Sequence, residues 1–181
     1  MKKVLIVIVL ILISCNSNKK EKVQEEFKNP SKETNKIQGD SNFTLILSAK
    51  LSLDHKLSLY YEENPNDKFN EKNRLFKKVQ GTDVFQDIEF KIKDPKIFPS
   101  RLRLHFSNRN EKQVIIKSIE LKYKGDSFLV KDSTFSKYFS PNKFIKYGLN
   151  LGEFNFQVKD NAFSPYFVSR PLLTGEMDLY L

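Results

Sequence analysis

The sequence predicts an all-β chain: a single antiparallel, jelly-roll-like β-sandwich that follows a signal peptide and a flexible tether. Three observations predict it. From Phe43 onward, apolar residues recur at every second position in short runs such as FTLILSAKL and EFNFQV, which is the period of a half-buried strand. Turn formers separate these runs at fairly regular intervals, as in ENPND, DPK, SNRNEK and KGD. No long stretch keeps apolar residues at helical spacing. A closed barrel is the alternative that the same pattern allows.

The chain opens MKKVLIVIVLILISCNSNKK. Lys2 and Lys3 precede an unbroken apolar run from Val4 to Ile13, and polar residues follow at once. A spanning helix needs roughly 20 apolar residues. This run has about half of that, the length of a signal-peptide h-region, so residues 1–14 read as a leader removed after export. Its end, Leu12-Ile13-Ser14-Cys15, resembles a bacterial lipobox: branched apolar, small or apolar, small, then cysteine. The resemblance implies cleavage before Cys15, a diacylglycerol on its thiol, and an acyl chain such as palmitate on the new amino terminus. Stable anchoring takes two lipid signals, which such a cysteine supplies. Cys15 is also the single cysteine of the chain, so it has no disulfide partner. The expected location is the bacterial cell envelope, with the membrane as a partner through lipidated Cys15.

Residues 15–41 comprise that cysteine and a polar stretch of mixed charge, NSNKKEKVQEEFKNPSKETNKIQGDS. It has too few apolar groups to offset the entropy of ordering, so it reads as a disordered tether. A coil of this length reaches on the order of 25–30 Å.

Residues 42–181 are the predicted β-sandwich domain, of ordinary single-domain size. Phe43, Leu45, Leu47, Ala49, Leu51 and Leu53 mark the first strand, residues 54–55 a tight turn, and Leu57, Leu59 and Tyr61 the second strand. The polar loop EENPNDKFNEKNR follows. Ile88, Phe90 and Ile92 alternate next, before Pro95 and Pro99 break the run. Leu102, Leu104 and Phe106 form a strand that places Arg101, Arg103 and His105 on its opposite face. VIIKSIELKY, FLV and EFNFQV supply further strands, and Met177, Leu179 and Leu181 read as a closing one. Residues 133–147 leave room for one short helical turn, with Pro141 interrupting anything longer. The total expected is eight or nine strands. With no disulfide, the core must hold the domain together, and 16 phenylalanines make that feasible.

Charge narrows the function classes. Removing Lys2 and Lys3 takes the formal net charge from +9 to +7, and the excess is spread along the chain. A nucleic-acid reader would gather it into a stripe or a recognition motif, so no nucleic-acid partner is expected. A diffuse basic surface suits anionic lipids or acidic glycans. His55 and His105 are not at zinc-ligand spacing, and the chain has no GxSxG elbow or glycine-rich phosphate loop. The expectation is a non-enzyme with no cofactor and no metal. NPND and KDNAF read as surface turns rather than calcium loops.

Sugar binding is the sharper expectation. A sugar ring has an apolar face and a polar rim, so a site for it needs an exposed aromatic and flanking planar polar side chains. If Tyr61 joins Leu57 and Leu59 in the core, Tyr60 faces out. Arg101, Arg103 and His105 can share that surface, and Asn108 and Arg109 line the next turn. The pattern also describes a solvated sheet face with one edge tyrosine. The segment RLRLHFSNRNEKQVIIKSIELKY resembles the central part of carbohydrate-binding-like β-sandwich modules of bacterial envelope proteins, and SPYFVSRPLL resembles their Asp-Pro-Tyr element. His105-Phe106-Ser107 stands where those modules have an acidic Asp-Pro, and Ser164 stands where they have the Asp before Pro165. The resemblance implies a sandwich fold and a glycan ligand. The resulting expectation is a lipid-anchored envelope protein with a non-catalytic, glycan-binding domain. The alternative is an accessory subunit that docks an envelope protein.

Overall fold

The computed structural model describes residues 41–181; the predicted leader, Cys15 and the predicted tether up to residue 40 lie outside the described residues. The alternating runs become β1 (Thr44–Leu51) and β2 (His55–Glu62), then β3 (Arg74–Val79), β4 (Thr82–Lys91), β5 (Arg101–His105) and β6 (Gln113–Tyr123). β7 (Asp126–Lys131) leads through a 3-10 turn, Asp132–Thr134, into the one-turn helix α1 (Phe135–Tyr138). β8 (Phe139–Pro141), β9 (Ile145–Tyr147), β10 (Glu153–Phe156), β11 (Tyr166–Ser169) and α2 (Pro171–Tyr180) complete the chain.

The strands form two antiparallel sheets, one ordered β4-β1-β6-β10-β9 with β7 also on β6, the other β3-β2-β5-β11-β8. The two orders run in step. At each of the first four positions they hold strands adjacent in sequence: β4 and β3, β1 and β2, β6 and β5, β10 and β11. The chain therefore passes between sheets after most strands, the jelly-roll-like winding of the predicted sandwich.

Between the sheets the inward halves of the alternating runs meet. Leu45, Leu47, Leu51, Leu57, Leu59, Leu102, Leu104, Val114, Ile116 and Leu121 are fully buried. Phenylalanines fill the centre: the Phe167 ring lies 4.7 Å from Phe154 and 5.0 Å from Phe135, centroid to centroid. Both contacts are near edge-to-face, the arrangement the ring quadrupole favours. Tyr61 joins this core as the alternation of β2 requires.

The structure departs from the sequence reading in three respects. Eleven strands are present among the described residues, because β3, β8, β9 and β11 add to those expected and β4 is longer than its alternating run. β3 is an edge strand whose middle, Phe76 to Lys78, is exposed, so burial imposes no alternation on it. The turn spans residues 52–54, and His55 already belongs to β2 and is buried. Finally, the predicted closing strand is the helix α2. Only Leu173 and Met177 of α2 are buried; they lie four residues apart on one helical face, while Leu179 is 72% exposed. Pro171 at its first turn starts it without losing a hydrogen bond.

Candidate functional site

β5 sits at the middle of its sheet, between β2 and β11. Its alternation buries Leu102 and Leu104 and turns Arg101, Arg103 and His105 to the outer face. Register then decides their neighbours. Arg103 pairs with Tyr60 on one side and Val168 on the other, and His105 pairs with Ser58 and Tyr166. Tyr166 and Val168 alternate with buried Phe167 on β11, so they share the face.

The outcome is a packed row of cations and rings. The Arg103 guanidinium carbon lies 4.4 Å from the Tyr60 ring centre, 4.7 Å from Phe69 and 5.4 Å from Tyr166, all within cation–π range. His105 stacks on Tyr166 at 4.8 Å with 14° between planes, and Tyr60 tilts against its other side at 5.4 Å. Tyr60 thus lies on the outer face as expected, but it is no open platform. It is only 8% exposed, and its hydroxyl donates to Glu71 at 2.9 Å. Tyr166, Phe69 and His105 are the partly exposed rings of the row.

Phe69 arrives from the loop of residues 63–73, which folds back onto the sheet for identifiable reasons. Glu62 at the end of β2 is 2% exposed. Its carboxylate accepts from the Asn70 backbone and side-chain amides and from the Asn73 side chain, all at 3.0 Å. Arg101 donates to the Pro65 and Asp67 carbonyls at 3.0 Å each and lies over Phe69 at 4.7 Å. Arg74 is paired with Glu71. Of the three arginines on the face, Arg103 is the exception. No side-chain hydrogen bond joins its guanidinium to another described residue, and its buried Nε has no partner. The buried Nε2 of His105 is unpartnered too.

Beside this row lies a cavity of about 540 Å³, lined by Pro65, Arg101, Val168, Arg170, Pro171 and Thr174 among others. Thr174 fixes α2 over its rim by donating to the Ser100 carbonyl at 2.6 Å. Arg101 and Val168 line the cavity and flank Arg103, so the cavity adjoins the row. The volume is that of a small-ligand site.

Asn108 and Arg109 do not join this row. The Asn108 side chain donates to the Asp54 carbonyl at 2.8 Å, and its backbone amide donates to His55 Nδ1 at 3.4 Å. Nearby, His55 Nε2 faces Glu111 Oε2 at 3.5 Å, and that oxygen accepts from the Leu53 amide at 2.9 Å. Asn108 therefore ties two turns together around a buried His–Glu pair. Arg109 is exposed. Conversely, Tyr166, Phe69 and Val168 were not singled out from the sequence. The alternation in YFVS could have pointed to Tyr166 and Val168; Phe69 had no local signal.

Electrostatics follow from the packing. Burial, then the charge of Arg103, lower the His105 pKa from 6.5 to about 4. His55 is lowered too, chiefly by burial, with Glu111 opposing. In the unfolded chain both imidazoles take up a proton near pH 6.5; in the fold His105 does so only near 4. The unfolded state thus binds more protons between these values, and stability falls as pH drops from about 6.5 to about 4. Urea midpoints measured across that range should decline with pH, with a shallower slope in a His105→Gln variant.

No protein-family model, no curated protein and no solved structure matches this chain. What is known of the face is therefore its own geometry: a fixed guanidinium without an acceptor, a half-exposed tyrosine and an adjoining cavity.

Proposed function

We propose that the chain is a lipid-anchored cell-envelope protein whose β-sandwich binds glycan, without cleaving it, on the outer face of β2, β5 and β11. The anchoring rests on Lys2, Lys3, the apolar run from Val4 and Cys15. The binding reading rests on one observation, a cavity of about 540 Å³ lined by Arg101 and Val168, the two residues that flank Arg103 along and across the strands. A saccharide needs apolar surface for its C–H face and fixed polar groups for its rim. Val168, Pro65 and Tyr166 supply the first, and the terminal nitrogens of Arg103 supply the second. The carboxylates bordering the row are already engaged, Glu62 with Asn70 and Asn73 and Glu71 with Tyr60 and Arg74, which favours binding over bond cleavage.

The test is an array of envelope and host glycans probed with the detergent-solubilised full chain. Tyr166→Ala should weaken the strongest signal by about ten-fold or more with the thermal midpoint little changed. Binding that survives this change would place the ligand elsewhere.

One observation favours a second reading, an accessory subunit that docks a protein. The hairpin tip between β9 and β10 presents Leu149 fully exposed, with Leu151 at 69% and Tyr147 at 52%. The tip is held in shape: Glu153 accepts from the Asn150 side chain at 2.7 Å and from its backbone amide at 3.2 Å. An empty glycan array, together with a partner captured from the envelope only when Leu149 and Leu151 are intact, would favour this reading.

A further inference from the structure

The three outward arginines are a controlled comparison within one sheet face. Arg101 has two carbonyl acceptors and Arg74 has a carboxylate. Arg103 has three aromatic faces and no acceptor. The rings attract the cation and hold its plane, but they leave the in-plane N–H groups unused. A guanidinium keeps its charge at any ordinary pH and is most strongly satisfied by a planar oxyanion that takes two of those N–H groups at once. Leaving them without an acceptor beneath a bound ligand would carry the desolvation cost of an unpaired donor.

Three further features point the same way. Lys56 and Lys78 stand opposite each other on β2 and β3 and add to the positive charge of the face, while Glu62 and Glu71 are engaged. The neighbouring His105 Nε2 is a second buried, unpartnered nitrogen. The adjoining cavity gives the rest of a ligand somewhere to lie, along Val168, Arg101 and Arg170.

We propose that the ligand of this face is an acidic saccharide, a sugar chain bearing carboxylates, and that Arg103 binds one such carboxylate while the neighbouring sugar occupies the cavity beside Val168. This rests on the glycan-binding reading and names its ligand class. A carboxylate placed there also offsets the charge of Arg103, which after burial is the second cause of the low His105 pKa, so the bound anion raises it relative to a neutral ligand in the same place.

The probes are short oligosaccharides of galacturonic acid and of hyaluronan, each paired with its methyl ester, plus a sulfated oligosaccharide of similar length. Titrated into the full chain in detergent, the free acids should bind at least about ten-fold more tightly than their esters. Arg103→Gln should abolish that difference, whereas Arg109→Gln, an equal loss of charge at an exposed position outside the row, should keep it. Because Arg103 is packed among rings, its variant could lose structure. The second measurement therefore uses the unaltered protein: the His105 ring proton followed by NMR against pH. Its midpoint, about 4 in the free protein, should lie higher with the free acid bound than with the ester bound. Equal affinity for acids and esters would overturn the acidic assignment and leave glycan binding standing. A preference for the sulfated probe would overturn the carboxylate in favour of another anion. Binding of none of these or of any array glycan would remove the glycan reading itself.

Discussion

Phe167→Ala is expected to lower the unfolding free energy by about 3–5 kcal/mol, the range for emptying a large aromatic from a closed core. Phe167 is fully buried and its ring meets Phe106, Phe135 and Phe154 at 6.0, 5.0 and 4.7 Å. A domain of this size has about 5–15 kcal/mol in total, so one substitution removes a large share. The loss also bears on the face. Phe167 lies on β11 between Tyr166 and Val168, and the same alternation that buries it turns its neighbours outward. Urea unfolding followed by tyrosine fluorescence reads the change directly. A loss below about 1 kcal/mol would mean that this packing does not hold the sheets together.

The second large effect concerns the loop over the face. Glu62→Ala removes a buried carboxylate that accepts three hydrogen bonds from Asn70 and Asn73. Hydrogen bonds to charged groups contribute about 1.5–3 kcal/mol each, but the freed amides can turn to water. A net loss of about 2–3 kcal/mol is expected. Its signature should be local: faster amide hydrogen exchange through residues 63–73 than in β5 or β6, because the loop loses its hold on the sheet. Phe69 would then leave Arg103, and saccharide affinity should fall although Glu62 touches no ligand. Uniform acceleration across the whole domain would instead make Glu62 a general stability element.

How much of this was legible in the sequence follows from what burial imposes. Strands with one face on the core announced themselves: Leu45 and Leu47 in β1, Leu57 and Leu59 in β2, Leu102 and Leu104 in β5, Val114 to Tyr123 in β6. β3 was silent because its central residues are exposed at a sheet edge. The start of β4 was silent for the same reason, with Val84 at 66% and Phe85 at 47% exposure. α2 was misread because Met177, Leu179 and Leu181 mimic a two-residue period, while the true signal was one buried pair, Leu173 and Met177. The candidate site divides in the same way. Arg101, Arg103 and His105 share a face by local alternation and could be read directly. That Arg103 meets Tyr60 on one side and Val168 on the other depends on which strands flank β5, a long-range choice that no local pattern states. Tyr60 was placed on the correct face, yet its burial under Arg103 and beside Glu71 is again a matter of register and loop path.

The central claim is that a saccharide occupies the outer face of β2, β5 and β11. The most direct measurement is the NMR footprint of the tightest-binding array glycan on the isotope-labelled full chain. The account predicts shifts concentrated at Arg103, His105, Tyr166, Val168 and Thr174, with the 147–151 tip unaffected. Shifts concentrated at that tip or around Asn108 and His55, with the Arg103 row unmoved, would contradict it.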